Sequence, residues 1–147
     1  MPERNSNAIW EGDTSGSGTV ILGSGILNAS YSFASRFEEG KGTNPEELLA
    51  GAHASSFSMA LGKALAERGW QPRRVITTSR VTLSPAAEGQ EIRHIRLNTQ
   101  AEVPDAEPEE FESLCQRVFQ DCPMSKALST IPMELNAQLT NTETQIL

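Results

Sequence analysis

The sequence predicts a fold that mixes helix with sheet, and three features predict it. A long helix with an unusually clear start runs from Thr43 to Leu65. Two alternating runs, Val75–Leu83 and Ile95–Val103, face one another across a Pro/Gly turn as a hairpin. A later segment, Phe111 to Cys122, carries apolar residues at three- and four-residue steps, the spacing of one helical stripe. At 147 residues the chain is one domain's worth, enough for a modest core.

Sheet is expected first. Ala8-Ile9-Trp10 and Gly18-Thr19-Val20-Ile21-Leu22 are short apolar or β-branched runs joined by the turn-rich Gly12–Gly18. Gly23-Ser24-Gly25 breaks the second run, and Ile26–Phe33 offers a third strand or an extended arm. The glycines and serines read as a loop rather than as a phosphate cradle. No Walker or dinucleotide pattern is present, and no cofactor is expected.

The central helix follows a connecting segment, Ser35–Gly42. Asn44 can cap the first free backbone N–H groups, Pro45 suits the first helical position, and Glu47 can complete a capping box. Leu48, Leu49, Ala50, Gly51, Ala52, Ala54, Phe57, Met59, Ala60 and Leu61 leave no wide polar face. Such a helix is normally enclosed on most sides, here by sheet or by a second subunit. Lys63 and flanking charge make the run too short to cross a membrane. His53, Ser55 and Ser56 are its polar oddities.

Gly69 should stop this helix, and the long hairpin comes next. His94 falls on the strand face opposite Ile95 and reads as an exposed residue rather than a ligand. Pro104–Glu110 opens the second helix with acidic residues at its positive end. Pro123 ends or restarts it, Pro132–Leu139 alternates as a strand, and fraying is expected from Asn141 onward.

Charge narrows the partners. Twelve basic against nineteen acidic residues give a net charge of −7, which disfavours nucleic acid and anionic membrane. The stretch MPERNSNAIWEGD has no apolar run, so no secretory signal is expected. The two cysteines, Cys115 and Cys122, lie seven apart and about 10 Å along one helix, too far for a disulfide within it. A reducing cytoplasm is the expected location.

His53, Ala54, Phe57, Ser58, Met59, Ala60 and Leu61 resemble the central helix of the OsmC/Ohr family, thiol peroxidases that reduce organic hydroperoxides. There the helix reads His-Ala-(Ala/Ser)-Cys-Phe-Ser-Met-Ala-Leu; this chain has Ser56 at the position of the reacting cysteine. Arg36, twenty residues before Ser56, and Glu46, ten before it, match the family's arginine and glutamate. The chemistry suits them. A thiolate attacks peroxide oxygen, a guanidinium favours the thiolate and the leaving alkoxide, and a carboxylate holds the guanidinium in a bidentate pair. Asp121-Cys122-Pro123-Met124-Ser125-Lys126-Ala127-Leu128 resembles the family's second segment, Cys-Pro-Val-Ser-x-x-Leu, whose cysteine resolves the sulfenic acid as a disulfide. Cys115 matches nothing there and reads as a small core residue.

The resemblance runs from Trp10-Glu11-Gly12-Asp13 to Leu128. It implies one α+β domain over residues 1–147, with antiparallel sheets wrapped around central helices in an intertwined homodimer. It implies an organic hydroperoxide as substrate and a dithiol or lipoyl-type reductant. The Trp10–Asp13 and Arg36-Phe37-Glu38 segments lean to the osmotic-stress branch. Ser56 is the departure: a hydroxyl cannot pass through a sulfenic acid, so the two-cysteine cycle should be silent. Three readings stay open. The serine is an engineered replacement of cysteine, or marks a natural relative that binds an apolar ligand, or belongs to a serine hydrolase. The last lacks an evident orienting acid and a strand-turn-helix nucleophile elbow.

Overall fold

The computed structural model describes residues 1–141, and the fraying expected beyond Asn141 lies outside that range. Two compact units divide the chain, Met1–Leu48 and Leu49–Leu147.

In the first unit, β1 (Ser6–Glu11), β2 (Ser17–Leu22) and β3 (Asn28–Tyr31) form an antiparallel sheet in chain order. The third strand is therefore real but short. A one-turn helix, α1 (Phe33–Phe37), follows where the sequence suggested only a connection. Its signal was easy to miss because serine does both capping jobs. The Ser32 hydroxyl accepts from the Ser35 N–H at 3.1 Å, and the Ser35 hydroxyl accepts from the Ser32 N–H at 2.8 Å. The Ser35 hydroxyl also donates to the Thr43 carbonyl at 2.7 Å, tying α1 to the next turn. Gly42 sits at φ +113, where a side chain's Cβ would lie 2.6 Å from the Ser30 carbonyl oxygen.

The long helix, α2 (Pro45–Glu67), begins where its cap was placed. The Asn44 side-chain oxygen accepts from the Glu47 N–H at 2.8 Å. The other half of the expected capping box does not form, since the Glu47 carboxylate accepts from the Thr43 hydroxyl at 2.7 Å. Gly69 ends the helix region at φ +90.

The second unit holds the core. Its sheet has the order β4 (Arg74–Pro85), β5 (Gln90–Glu102), β6 (Met133–Leu139). β4 and β5 pair antiparallel as the predicted hairpin, with a register shift between Thr82 and Leu83. β6 joins β5 in parallel, an exception to the expected antiparallel arrangement. The chain reaches the start of β5 again through α3 (Pro108–Asp121) and α4 (Pro123–Ala127), the crossover that parallel pairing requires. Glu107 caps α3, its carboxylate accepting from the N–H groups of Glu109 at 3.2 Å and Glu110 at 2.8 Å.

Three stripes meet in this core. α2 contributes Phe57, Leu61 and Leu65, β5 contributes Ile95, Leu97 and Ala101 with Val103 just beyond its end, and α3 contributes Phe111, Leu114, Cys115, Val118 and Phe119. The inward face predicted for the second hairpin strand is thus the buried one, with Thr99 among it at 1 % exposure. α2 is not enclosed on most sides within this chain. One line of residues is buried at four-residue steps, while Gly51, Ala52, Ser55 and Met59 are exposed. His94 is part-exposed, with Nε2 4.0 Å from a Glu134 carboxylate oxygen.

Phe57 is fully buried and meets Phe119 edge-on at 6.2 Å between ring centroids. Phe57→Ala should lower unfolding stability by about 3–5 kcal/mol, measured by urea denaturation, because the cavity cannot fully collapse. A loss under about 1 kcal/mol would mean that α2 does not anchor this core.

Candidate functional site

Arg36 and Glu46 come together in the first unit. α1 carries the arginine and the first turn of α2 carries the glutamate. Arg36 Nη2 donates to Glu46 Oε1 at 2.7 Å, and Nε donates to Oε1 and Oε2 at 3.1 and 3.3 Å. This two-pronged pairing fixes the plane of the guanidinium as a single hydrogen bond could not. Glu46 is buried while the Arg36 side chain is 37 % exposed, so one face of the cation stays available to an anion. Glu46 accepts from Arg36, while Glu47 gives the cap only its backbone N–H.

Aromatic rings gather beside this pair. Trp10 meets Tyr31 at 5.6 Å and Phe33 at 5.5 Å, Phe33 stacks on Phe37 at 6.0 Å, and the Arg36 guanidinium lies 5.5 Å from the Phe37 ring centre. Gly18 makes room for them, since a Cβ there would fall 2.5 Å from the Tyr31 ring. Trp10, Tyr31, Ser32, Phe33, Arg36 and Pro45 line a mostly apolar pocket of about 280 Å³. Sequence reasoning named Trp10 and Arg36 but not the ring cluster, because Tyr31 and Phe33 looked like members of a strand or arm. Strand register sets Tyr31 across Gly18 from Trp10, and the bend into α1 adds Phe33.

The second unit holds Ser56, His53 and Cys122. Ser56 is half-buried on α2. His53 is fully buried, with Nε2 hydrogen-bonded to the Ser125 hydroxyl at 2.8 Å. Ser125 is itself 5 % exposed and lies 3.2 Å from Cys122 Sγ. His53 therefore has a side-chain partner in its own chain. Its Nδ1 has no partner among the described residues. With its one hydrogen-bonded nitrogen on Ser125, His53 is not arranged as a base for Ser56, which removes the support for a serine hydrolase. Ser125 was the residue missed; its signal was the three-residue step from Cys122 across Pro123, which puts both on the first turn of α4.

Burial separates the titrating groups. It pushes the His53 imidazole below its ordinary value, so the ring is neutral near pH 7. Burial, with some help from Glu112, pushes the Cys115 thiol up to about 12. Cys115 is thereby an inert core residue, as the sequence suggested. Both cysteines are free and buried.

The chain is a small α+β protein with a bidentate arginine–carboxylate pair beside an apolar pocket and a buried thiol in a histidine–serine chain. The sequence matches the family described as OsmC-like protein over residues 38–136. It is 42 % identical over 127 residues to peroxiredoxin OsmC of Escherichia coli K12, spanning 85 % of this chain and 89 % of that protein. The chain belongs to the OsmC-like family. Its fold is shared with OhrB of Bacillus subtilis, an organic hydroperoxide resistance protein (TM-score 0.69, 22 % identity, 92 % and 98 % of the two chains covered). It is shared also with an OsmC-like protein of Mycoplasma pneumoniae (TM-score 0.71, 17 % identity, 95 % and 96 % covered). Among the described residues no helix is long and apolar enough to cross a membrane.

The buried histidine fixes the sign of a pH effect. Its folded-state pKa lies below the ordinary value of 6.5, so the unfolded chain takes up the proton first on acidification. Folding stability should therefore fall as pH drops from about 6.5 towards 5, by up to about 1.4 kcal/mol per pH unit. His53→Gln should flatten that window in urea titrations, and an unchanged slope would show that the ring titrates freely.

Proposed function

We propose that residues 1–147 act as one OsmC/Ohr-type domain built for thiol-dependent reduction of organic hydroperoxides to alcohols. The observation that carries this reading is the bidentate Arg36–Glu46 pair beside the ring-lined pocket. In the full cycle a thiolate at position 56 attacks the distal oxygen of the hydroperoxide. The O–O bond breaks, the leaving alkoxide takes a proton, and the sulfur becomes a sulfenic acid. Arg36 supplies the positive charge that the thiolate and alkoxide need, and Glu46 keeps its plane fixed. Cys122 then displaces water to form a disulfide, which a dithiol or lipoyl-type reductant reopens. The pocket rings offer an apolar surface to the alkyl group.

Ser56 stops the cycle before its first step, because a hydroxyl is too weak a nucleophile and holds no sulfur to oxidise. We read the serine as an engineered, inactivating replacement of the family's cysteine; the codon in the source gene checks this directly. The cytoplasm, where dithiol reductants are kept reduced, is the fitting location.

A second copy of the chain is part of this reading. The exposed line Gly51, Ala52, Ser55 and Met59 is small or apolar, and Met59 is 79 % exposed. Small residues let backbones approach, and an apolar helix face left open in one chain is what a homodimer covers. A natural, non-catalytic relative that binds an apolar ligand is the second reading, favoured by the aromatic pocket alone.

Ser56→Cys should consume an alkyl hydroperoxide at the expense of a dithiol and yield a disulfide with Cys122, read by peroxide loss and peptide mass spectrometry. A folded Ser56→Cys protein that leaves the peroxide untouched would sink the peroxidase reading. If it also released an apolar ligand on denaturation, the binding reading would take its place. Met59→Glu should shift the sedimentation equilibrium from dimer to monomer, and a parent chain that sediments as a monomer would remove the dimer.

A further inference from the structure

Three side chains in the second unit form a continuous chain of polar contacts inside an otherwise apolar core. Cys122 Sγ lies 3.2 Å from Ser125 Oγ, which lies 2.8 Å from His53 Nε2. All three residues are more than nine-tenths buried, at 3 %, 5 % and 0 % exposure. The Phe119 ring stacks over His53 at 6.1 Å with an interplanar angle of 17° and shields it on the α3 side. A histidine retained in a core for structure alone normally has both nitrogens satisfied. Here Nδ1 is buried without a partner among the described residues, so no second hydrogen bond there fixes which nitrogen carries the proton. A serine hydroxyl can donate one way while accepting from the other, and can reverse by rotation.

We propose that Ser125 and His53 are positioning residues forming a proton relay for Cys122: as the Cys122 sulfur attacks an oxidised sulfur, its proton passes through the Ser125 hydroxyl to His53 Nε2. In attack on a small disulfide, a new S–S bond forms to Cys122 and the old one breaks. The departing sulfur leaves as a thiolate, and the proton held on His53 can return to it by the same path. Burial keeps the imidazole neutral at rest and thus free to accept. The charged pair exists only during the transfer, when sulfur and imidazolium are linked through one hydroxyl. A cavity of about 570 Å³ whose lining includes Phe119, Ser125, Ser129 and Met133 reaches this chain of contacts at Ser125. The relay deepens the role given to Cys122 in the peroxidase reading, yet it operates with serine at position 56.

The test therefore uses the Ser56 chain and no hydroperoxide. Methyl methanethiosulfonate, a small neutral reagent, is added over a range of pH, and labelling of Cys122 and Cys115 is followed by peptide mass spectrometry. Cys122 should label faster than Cys115, with a rate that levels off by neutral pH. Ser125→Ala should slow Cys122 by ~10-fold or more at pH 7 and leave a rate that climbs into the alkaline range. Ser125→Thr, which keeps the hydroxyl, should restore the parent profile. A rise in Cys115 labelling reports an opened core; should Ser125→Ala show it, His53→Gln against Ser125→Thr decides. Identical pH profiles in the parent and the hydroxyl-free or imidazole-free variants would overturn the relay, as would a Cys122 that stays unlabelled in the folded parent. Neither result depends on whether Ser56→Cys turns over peroxide.

Discussion

The buried line of α2 is the constraint on which the second unit depends. His53, Phe57, Leu61 and Leu65 repeat every four residues, so one narrow strip of the helix must be covered along its length. β5 covers it with alternate side chains and α3 with its own stripe, which brings three elements distant in sequence to one seam. That seam fixes where α4 begins, because Cys122 closes α3 and opens α4 with its side chain turned into the core. A polar residue admitted to such a seam needs a partner there, and His53 finds it in the first turn of α4.

The two polar constellations solve opposite electrostatic problems. The Arg36–Glu46 salt bridge keeps partial contact with solvent, so the pairing orients a charge without the full penalty of burying it. His53, Ser125 and Cys122 are enclosed, and burial opposes charge on the imidazole. An exposed, oriented cation suits an incoming oxyanion. An enclosed neutral base suits a proton that moves only in step with bond formation. The apolar rings near Arg36 serve the first arrangement by lowering the dielectric around the cation.

Local signals were legible in the sequence where local physics decides them. Asn44-Pro45 fixed the start of α2, Gly69 its end, and the alternation through Ile95–Val103 its buried strand face. α1 escaped notice because five residues carry no periodicity and its box uses serine where glutamate is usual. The direction of β6 escaped because alternation is the same in either direction. The two helices between β5 and β6 were the available clue, since a return by such a crossover pairs strands in parallel. Within one chain α2 is covered along one strip only, as small residues permit close approach without requiring it from the same chain.

The sequence by itself determined which residues could do chemistry: a guanidinium, a carboxylate, a serine at the family's sulfur position and one thiol beside proline. It did so because residue type and spacing along a helix or strand are local properties. Tertiary structure alone decided who touches whom. His53 and Ser125 stand 72 positions apart, and nothing in either segment names the other. Their hydrogen bond exists because packing α2 against α3 and α4 buries the ring and brings one hydroxyl within reach.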